Sequence, residues 1–121
     1  MLRVYIDTSS LLFGFRNKHN PIEAISDEFY GAKVVVSEGV IEELKKLAES
    51  KKAIASAARV ALKALQESRV EIEENREMPD KWLLKLKGRF VVVCTNDAKL
   101  KEQLRKHGLR VVSMARSGKI R

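Results

Sequence analysis

Val91-Val92-Val93-Cys94-Thr95-Asn96-Asp97-Ala98-Lys99-Leu100 decides how this chain is read. A continuous apolar run from Phe90 to Cys94 has the length and β-branched content of a strand buried on both faces. Asp97 then opens a helix that runs to His107 and stops at Gly108. The same pattern stands at the N-terminus, where Val4-Tyr5-Ile6 ends in Asp7-Thr8-Ser9. In a parallel sheet both acids emerge at the carboxyl ends of their strands, the edge where open α/β sheets carry their sites. Carboxylates brought together repel one another unless a cation neutralises them or some stay protonated. A metal site is therefore the first expectation.

Working outward, short β-branched runs alternate with helical segments. Strands are expected at 2–6, 33–36, 70–72, 90–94 and 110–113. Helices are expected at 9–17, 20–29, 38–49, 52–67, 79–87 and 97–107, with Pro21 early in its helix and Ser37 as an N-cap. Strands of four or five residues separated by helices imply an α/β three-layer sandwich with a mostly parallel central sheet of about five strands. The 121 residues suit a single domain, 1–113, followed by a basic tail, 114–121, which lacks an apolar pattern and would fray or order on nucleic acid.

The net charge of +8 is unevenly spread. Residues 81–121 hold 12 Lys/Arg and 2 Asp/Glu, whereas residues 1–80 hold 12 and 14. A basic surface beside an acidic pocket suits a metal-dependent nuclease, with cations holding phosphates and carboxylates holding the ion; the alternative is a solvated surface with no partner. No apolar stretch approaches the roughly 20 residues of a membrane span. The N-terminus reads as a strand and not a signal peptide, and the lone Cys94 lies in an apolar run as a small hydrophobe. A cytoplasmic protein with no membrane partner is the expectation.

Each acid has a bland alternative. Asp7 and Asp97 could merely cap the helices that follow them. Asp80, after Pro79, could simply favour the positive end of a helix dipole. Glu43 differs from Glu42 by geometry: taking Val40 as zero, Leu44 falls near about 40°, Leu47 near about −20°, Glu43 near about −60° and Glu42 near about 200°. Glu43 thus borders the apolar stripe, while Glu42 faces away, where Lys46 four residues on would pair with it. His19 and His107 are isolated, no Cys/His spacing suits zinc, and no glycine-rich phosphate loop is present. A phosphate-accepting receiver domain is discounted, because Val70-Glu71-Ile72-Glu73 offers no acceptor Asp at the end of its strand.

The ordered set Ile6-Asp7-Thr8-Ser9, Val40-Ile41-Glu42-Glu43-Leu44, Asp80 at a helix start, and Cys94-Thr95-Asn96-Asp97 resembles the PIN-domain ribonuclease family over residues 2–113. The resemblance implies a compact parallel α/β sandwich that cleaves RNA with Mg²⁺ or Mn²⁺. It implies Asp7, Glu43, Asp80 and Asp97 as catalytic, metal-binding acids, with Asp7 and Asp97 as main ligands, and Ser9 and Thr95 as residues that order carboxylates or water. Lys99, Arg105, Arg110 and Arg116 would hold the RNA backbone. One departure stands out: the third acidic motif, paired in many members, is reduced here to Met78-Pro79-Asp80, followed by the bulky Trp82. Two roles fit, ribosomal RNA processing with an assembly partner, or the toxin of a toxin–antitoxin pair blocked by its antitoxin. The small side chains of 52–67 would also let a second copy pack as a homodimer, internal packing being the simpler expectation. The non-catalytic alternative is a PIN-like RNA-binding or assembly protein whose acids are helix caps.

Overall fold

The computed structural model describes all 121 residues. Five strands, β1 (Arg3–Ile6), β2 (Lys33–Ser37), β3 (Glu71–Glu73), β4 (Val91–Cys94) and β5 (Arg110–Val112), form one sheet in the order β3-β2-β1-β4-β5. Every pairing is parallel. Six helices connect them: α1 (Thr8–Arg16), α2 (Pro21–Glu28), α3 (Glu38–Ala48), α4 (Ala55–Glu67), α5 (Pro79–Leu84) and α6 (Ala98–Lys106). Consecutive residues of β1, β2 and β4 are buried, so both faces of the sheet are covered, as the unbroken apolar runs require. No helix is long and apolar enough to cross a membrane.

Strand order fixes where a site can form. The chain leaves β1 toward β2 and β3 on one side, then returns to β4 and β5 on the other. The crevice beyond the ends of β1 and β4 is therefore the topological switch point. Register Ile6↔Cys94 brings Asp7 level with Thr95, and the Asp7 N–H donates to Cys94 O at 2.9 Å.

Several local expectations shift. Phe90 lies outside β4 and is 56 % exposed, because β4 begins only where β1 begins to pair with it. The third strand sits one residue later than expected and is an edge strand, with Ile72 exposed. The alanine-rich helix begins at Ala55, not 52. Its small residues Ala55, Ala57, Ala58 and Ala61 are buried, and it packs against α1 and α3. Internal packing thus accounts for the small side chains. Glu42 is exposed as expected, but it pairs with Arg76 at 3.6 Å rather than with Lys46.

The tail is ordered by the protein itself. Residues 113–121 form a small antiparallel hairpin closed by Ser113 N–H to Arg121 O (3.0 Å), Arg121 N–H to Ser113 O (2.9 Å) and Ala115 N–H to Lys119 O (2.8 Å). Met114 is fully buried, an apolar contact that the surrounding basic residues obscured in the sequence. Asn96 clamps the hairpin: its Oδ1 accepts from Met114 N–H (3.0 Å) and Ser10 Oγ–H (2.7 Å), and its Nδ2 donates to Met114 O (2.9 Å). Asn96→Ala strands three polar groups, so a stability loss of about 2–3 kcal/mol is expected in denaturant unfolding. Tryptic cleavage after Arg116 should accelerate in parallel; an unchanged rate would show that the hairpin holds without Asn96.

Candidate active site

The loops beyond β1 and β4 open into a cavity of ≈ 310 Å³ lined by Asp7, Thr8, Ser9, Leu12, Glu43, Met78, Pro79, Asp80, Asp97 and Leu100. All four acids singled out in the sequence lie on its wall. Asp7 comes from the end of β1, Glu43 from the middle of α3, Asp80 from the first turn of α5 and Asp97 from the start of α6.

Burial grades the four. Asp7 is 6 % exposed and forms the floor. Glu43 is half-buried, and Asp80 and Asp97 are exposed at the rim. Asp7 makes no capping hydrogen bond to α1, so helix capping does not explain its burial. Its Oδ2 instead accepts from Ser9 Oγ–H at 2.7 Å and Thr95 Oγ1–H at 2.8 Å, which leaves Oδ1 without a side-chain donor. Burial pushes the Asp7 carboxyl above its ordinary range, and the Ser9 and Thr95 hydroxyls oppose that rise. Thr95 also accepts from Asp97 N–H at 3.2 Å, tying the two strand-end acids through one buried hydroxyl.

The other acids divide between local and site roles. Asp97 does cap α6, its Oδ1 accepting from Leu100 N–H at 3.0 Å. Capping uses one carboxylate oxygen and leaves Asp97 on the cavity wall. Asp80 Oδ1 accepts only from Lys81 N–H, at 2.9 Å. Trp82 does not enter the cavity. It is buried edge-on against Tyr5, ring centroids 5.5 Å apart, and donates from Nε1 to Glu73 at 3.4 Å. Trp82, two residues after Asp80, thus packs α5 against the sheet.

One contributor escaped the sequence reading. Thr8 lines the cavity, is 3 % exposed, and its Oγ1 is the single buried side-chain polar atom with no hydrogen-bond partner. A buried unsatisfied hydroxyl costs about 1–3 kcal/mol. Thr8→Val should therefore leave stability unchanged or raise it by about 1 kcal/mol in thermal unfolding, although it alters a buried polar side chain. A loss above about 1 kcal/mol would mean that Oγ1 is satisfied within the fold. No sequence pattern marks Thr8, because its lack of a partner arises only when α1 docks.

The donors around the cavity are all oxygen, which suits a hard divalent cation such as Mg²⁺ or Mn²⁺ rather than zinc. No group of three or more acidic, histidine or cysteine side chains converges at ligating distance. Mg²⁺ usually keeps several waters and uses one or two carboxylates plus substrate phosphate, so the set fits such an ion with Asp7 as its anchor.

The expected RNA-contacting cations are not gathered in one place. Lys99 lies beside the acids, sharing a small side cavity with Asp80, Asp97 and Gln103. Arg105 is exposed in the last turn of α6, and Arg116 is exposed in the tail turn. Arg110 begins β5 at the opposite edge of the sheet, its guanidinium 5.1 Å above the Phe29 ring. Cys94 is fully buried, and burial pushes its thiol up to about 11, so it is an inert part of the core.

Comparisons with known proteins agree with this architecture. The solved structure of the PIN domain endonuclease Utp24 superposes with a TM-score of 0.80 at 27% identity, covering 98% of this chain and 89% of that one. A domain of a functionally unknown protein from Methanocaldococcus jannaschii DSM 2661 gives 0.65 at 17% identity, covering 95% and 92%. VapBC-1 from nontypeable Haemophilus influenzae gives 0.55 at 16% identity, covering 91% and 96%. The last two show likeness of fold alone. No curated protein sequence matches at a significant level. The family profile described as a PIN like domain matches residues 4–117, which span all five strands, the four acids and half of the tail hairpin. This chain belongs to the PIN-like domain family.

Proposed function

We propose that the protein is a Mg²⁺- or Mn²⁺-dependent endoribonuclease whose active site is the cavity beyond β1 and β4. The observation that carries this reading is a buried carboxylate, Asp7, held by two hydroxyl groups at the floor of a cavity ringed by three further acids. A fold that keeps a desolvated carboxylate and an unpartnered hydroxyl side by side carries a cost that catalysis or metal binding would offset.

The roles follow from placement. Asp7 would anchor the ion, with Asp97 as the second direct ligand and Glu43 and Asp80 acting directly or through water. Ser9 and Thr95 fix the Asp7 carboxylate plane by occupying Oδ2, so Oδ1 is presented in one orientation. When bound, the cation would supply Lewis-acid polarisation of the scissile phosphate and activation of the attacking water. Lys99 at the rim would hold the adjoining phosphate. The likeness at 27% identity to a solved PIN domain endonuclease supports the nuclease reading.

A second reading is a non-catalytic RNA-binding protein, favoured by the absence of three converging ligands. The test is cleavage of end-labelled RNA with Mg²⁺, Mn²⁺ or EDTA by the wild type, Glu43→Gln and Asp97→Asn. Cleavage that needs metal and falls in both variants supports the nuclease. Tight RNA binding without cleavage under any metal would leave the second reading.

A further inference from the structure

The edge of the sheet opposite the acidic cavity concentrates a different chemistry. The segments that enter β2, β4 and β5 all lie there, since these parallel strands start at one edge. Tyr30, in the turn before β2, is 100 % exposed. Phe90, just before β4, is 56 % exposed, and the Arg89 guanidinium lies 5.2 Å from its ring centroid. Arg110 opens β5 and stacks on Phe29, the residue preceding Tyr30, which ties the Tyr30 turn to the start of β5. From there the chain crosses to Lys33 on β2, passing the starts of β1 and β4, so the Tyr30 turn and Phe90 share one edge.

Positive charge dominates there: the acid at a strand start, Glu71 on the far edge strand β3, is taken up by Arg3 and Lys33. Residues 86–90 carry Lys87 and Arg89 with no acid, and residues 105–110 carry Arg105, Lys106 and Arg110 with no acid. Neither Lys87, Arg89 nor Arg110 takes part in a salt bridge. The nearest acids on α2, Asp27 and Glu28, instead border a groove with Gly118, Lys119 and Ile120 of the tail. Exposed aromatic rings interleaved with unpaired cations are what sequence-tolerant single-strand binding uses: rings stack bases and cations track phosphates.

We infer that this edge is a second RNA-binding surface, separate from the cleavage cavity, which holds single-stranded RNA by stacking bases on Tyr30 and Phe90 and by pairing phosphates with Lys87, Arg89 and Arg110. The inference shares with the proposed function only its ligand, RNA, and does not depend on cleavage. A four-residue strand spans about 13 Å, so the two surfaces lie at opposite ends of the sheet.

The test is fluorescence anisotropy of a labelled 12-nucleotide oligouridine with the full chain in EDTA, over a range of salt. Each stacked base is worth about 1–3 kcal/mol, so Tyr30→Ala/Phe90→Ala should weaken binding about 20-fold or more with an unchanged salt slope. Lys87→Gln/Arg89→Gln should weaken binding and reduce the slope by about 1.4, at about 0.7 per phosphate contact on a single strand. All four side chains are exposed, so melting temperatures should match the wild type. Wild type that fails to bind at low salt, or Tyr30→Ala/Phe90→Ala that binds within twofold, overturns the inference. So does a wild-type dimer in light scattering that the aromatic variant abolishes while RNA affinity persists, because the edge would then be a contact between copies. Binding in EDTA that responds as stated, from a chain that cleaves nothing with Mn²⁺, supports this surface and sinks only the nuclease reading.

Discussion

Asp7→Asn is expected to lower metal-dependent RNA cleavage by about a thousandfold, several kcal/mol of lost electrostatic stabilisation, without destabilising the fold. The two effects separate because Asp7 is costly to the folded protein in its ionised form. Burial raises its carboxyl pKa in the native state above the unfolded value. The unfolded chain therefore loses this proton at lower pH than the native protein does. Between those two values the native state binds more protons, and stability falls as pH rises. The penalty is absent below about pH 4, the unfolded carboxylate range, and complete above the raised native value. Asn keeps the shape and cannot ionise, so the variant should melt at or above the wild-type temperature at pH 7 and lose this part of the pH dependence. A divalent ion would offset the same penalty by binding only the folded state. Millimolar Mn²⁺ should raise the wild-type melting temperature and leave Asp7→Asn nearly unmoved. A variant that cleaves at the wild-type rate, or one that Mn²⁺ stabilises equally, would remove Asp7 from the centre of the site.

Gly39→Ala should cost about 3 kcal/mol or more in urea unfolding and reduce activity as well, although Gly39 carries no chemistry. It lies in the first turn of α3, where its N–H donates to Asn75 O at 2.9 Å. A Cβ there would sit inside the contact radius of Glu77 O, a backbone atom that cannot swing aside. The residues that must move, 75–78, lead directly into Pro79 and Asp80, and α3 carries Glu43. Overpacking at Gly39 therefore separates two walls of the cavity. Glu43→Ala offers the contrast: a half-buried side chain at the cavity wall is removed with little change in stability. Gly39→Ala with wild-type stability would show that the 75–78 segment is compliant and that Asp80 is not held by this contact.

The sequence was most informative where local chemistry repeats. Buried strands announced themselves as β-branched runs, and Asp7 and Asp97 stood out because each ends such a run. Helical rotation alone separated Glu43 from Glu42. What periodicity cannot carry is the partner across a gap. Glu42 was assigned Lys46 four residues away, and the fold supplied Arg76 instead. Asn96 read as part of a strand-end acidic motif, whereas its side chain spends its hydrogen bonds on Met114 and Ser10. The tail read as basic and patternless because its one deeply buried anchor, Met114, has no apolar neighbour at strand or helix spacing within the tail, where positions 116, 117 and 118 are Arg, Ser and Gly.

By itself the sequence determined the alternation of strand and helix, the parallel sheet that follows from it, and the side of each element on which the acids stand. These depend on backbone propensity and on burial of neighbouring residues, interactions that reach only a few positions along the chain. Only the tertiary structure decided the strand order β3-β2-β1-β4-β5, and with it the crevice between β1 and β4 that Asp7 and Asp97 share. It alone left Thr8 Oγ1 without a partner, packed Trp82 against Tyr5, and set Arg110 over Phe29 at the far edge, next to the Tyr30 turn. Those outcomes depend on which surfaces meet when the elements pack, and a contact between residues dozens of positions apart leaves no local trace in either partner's sequence.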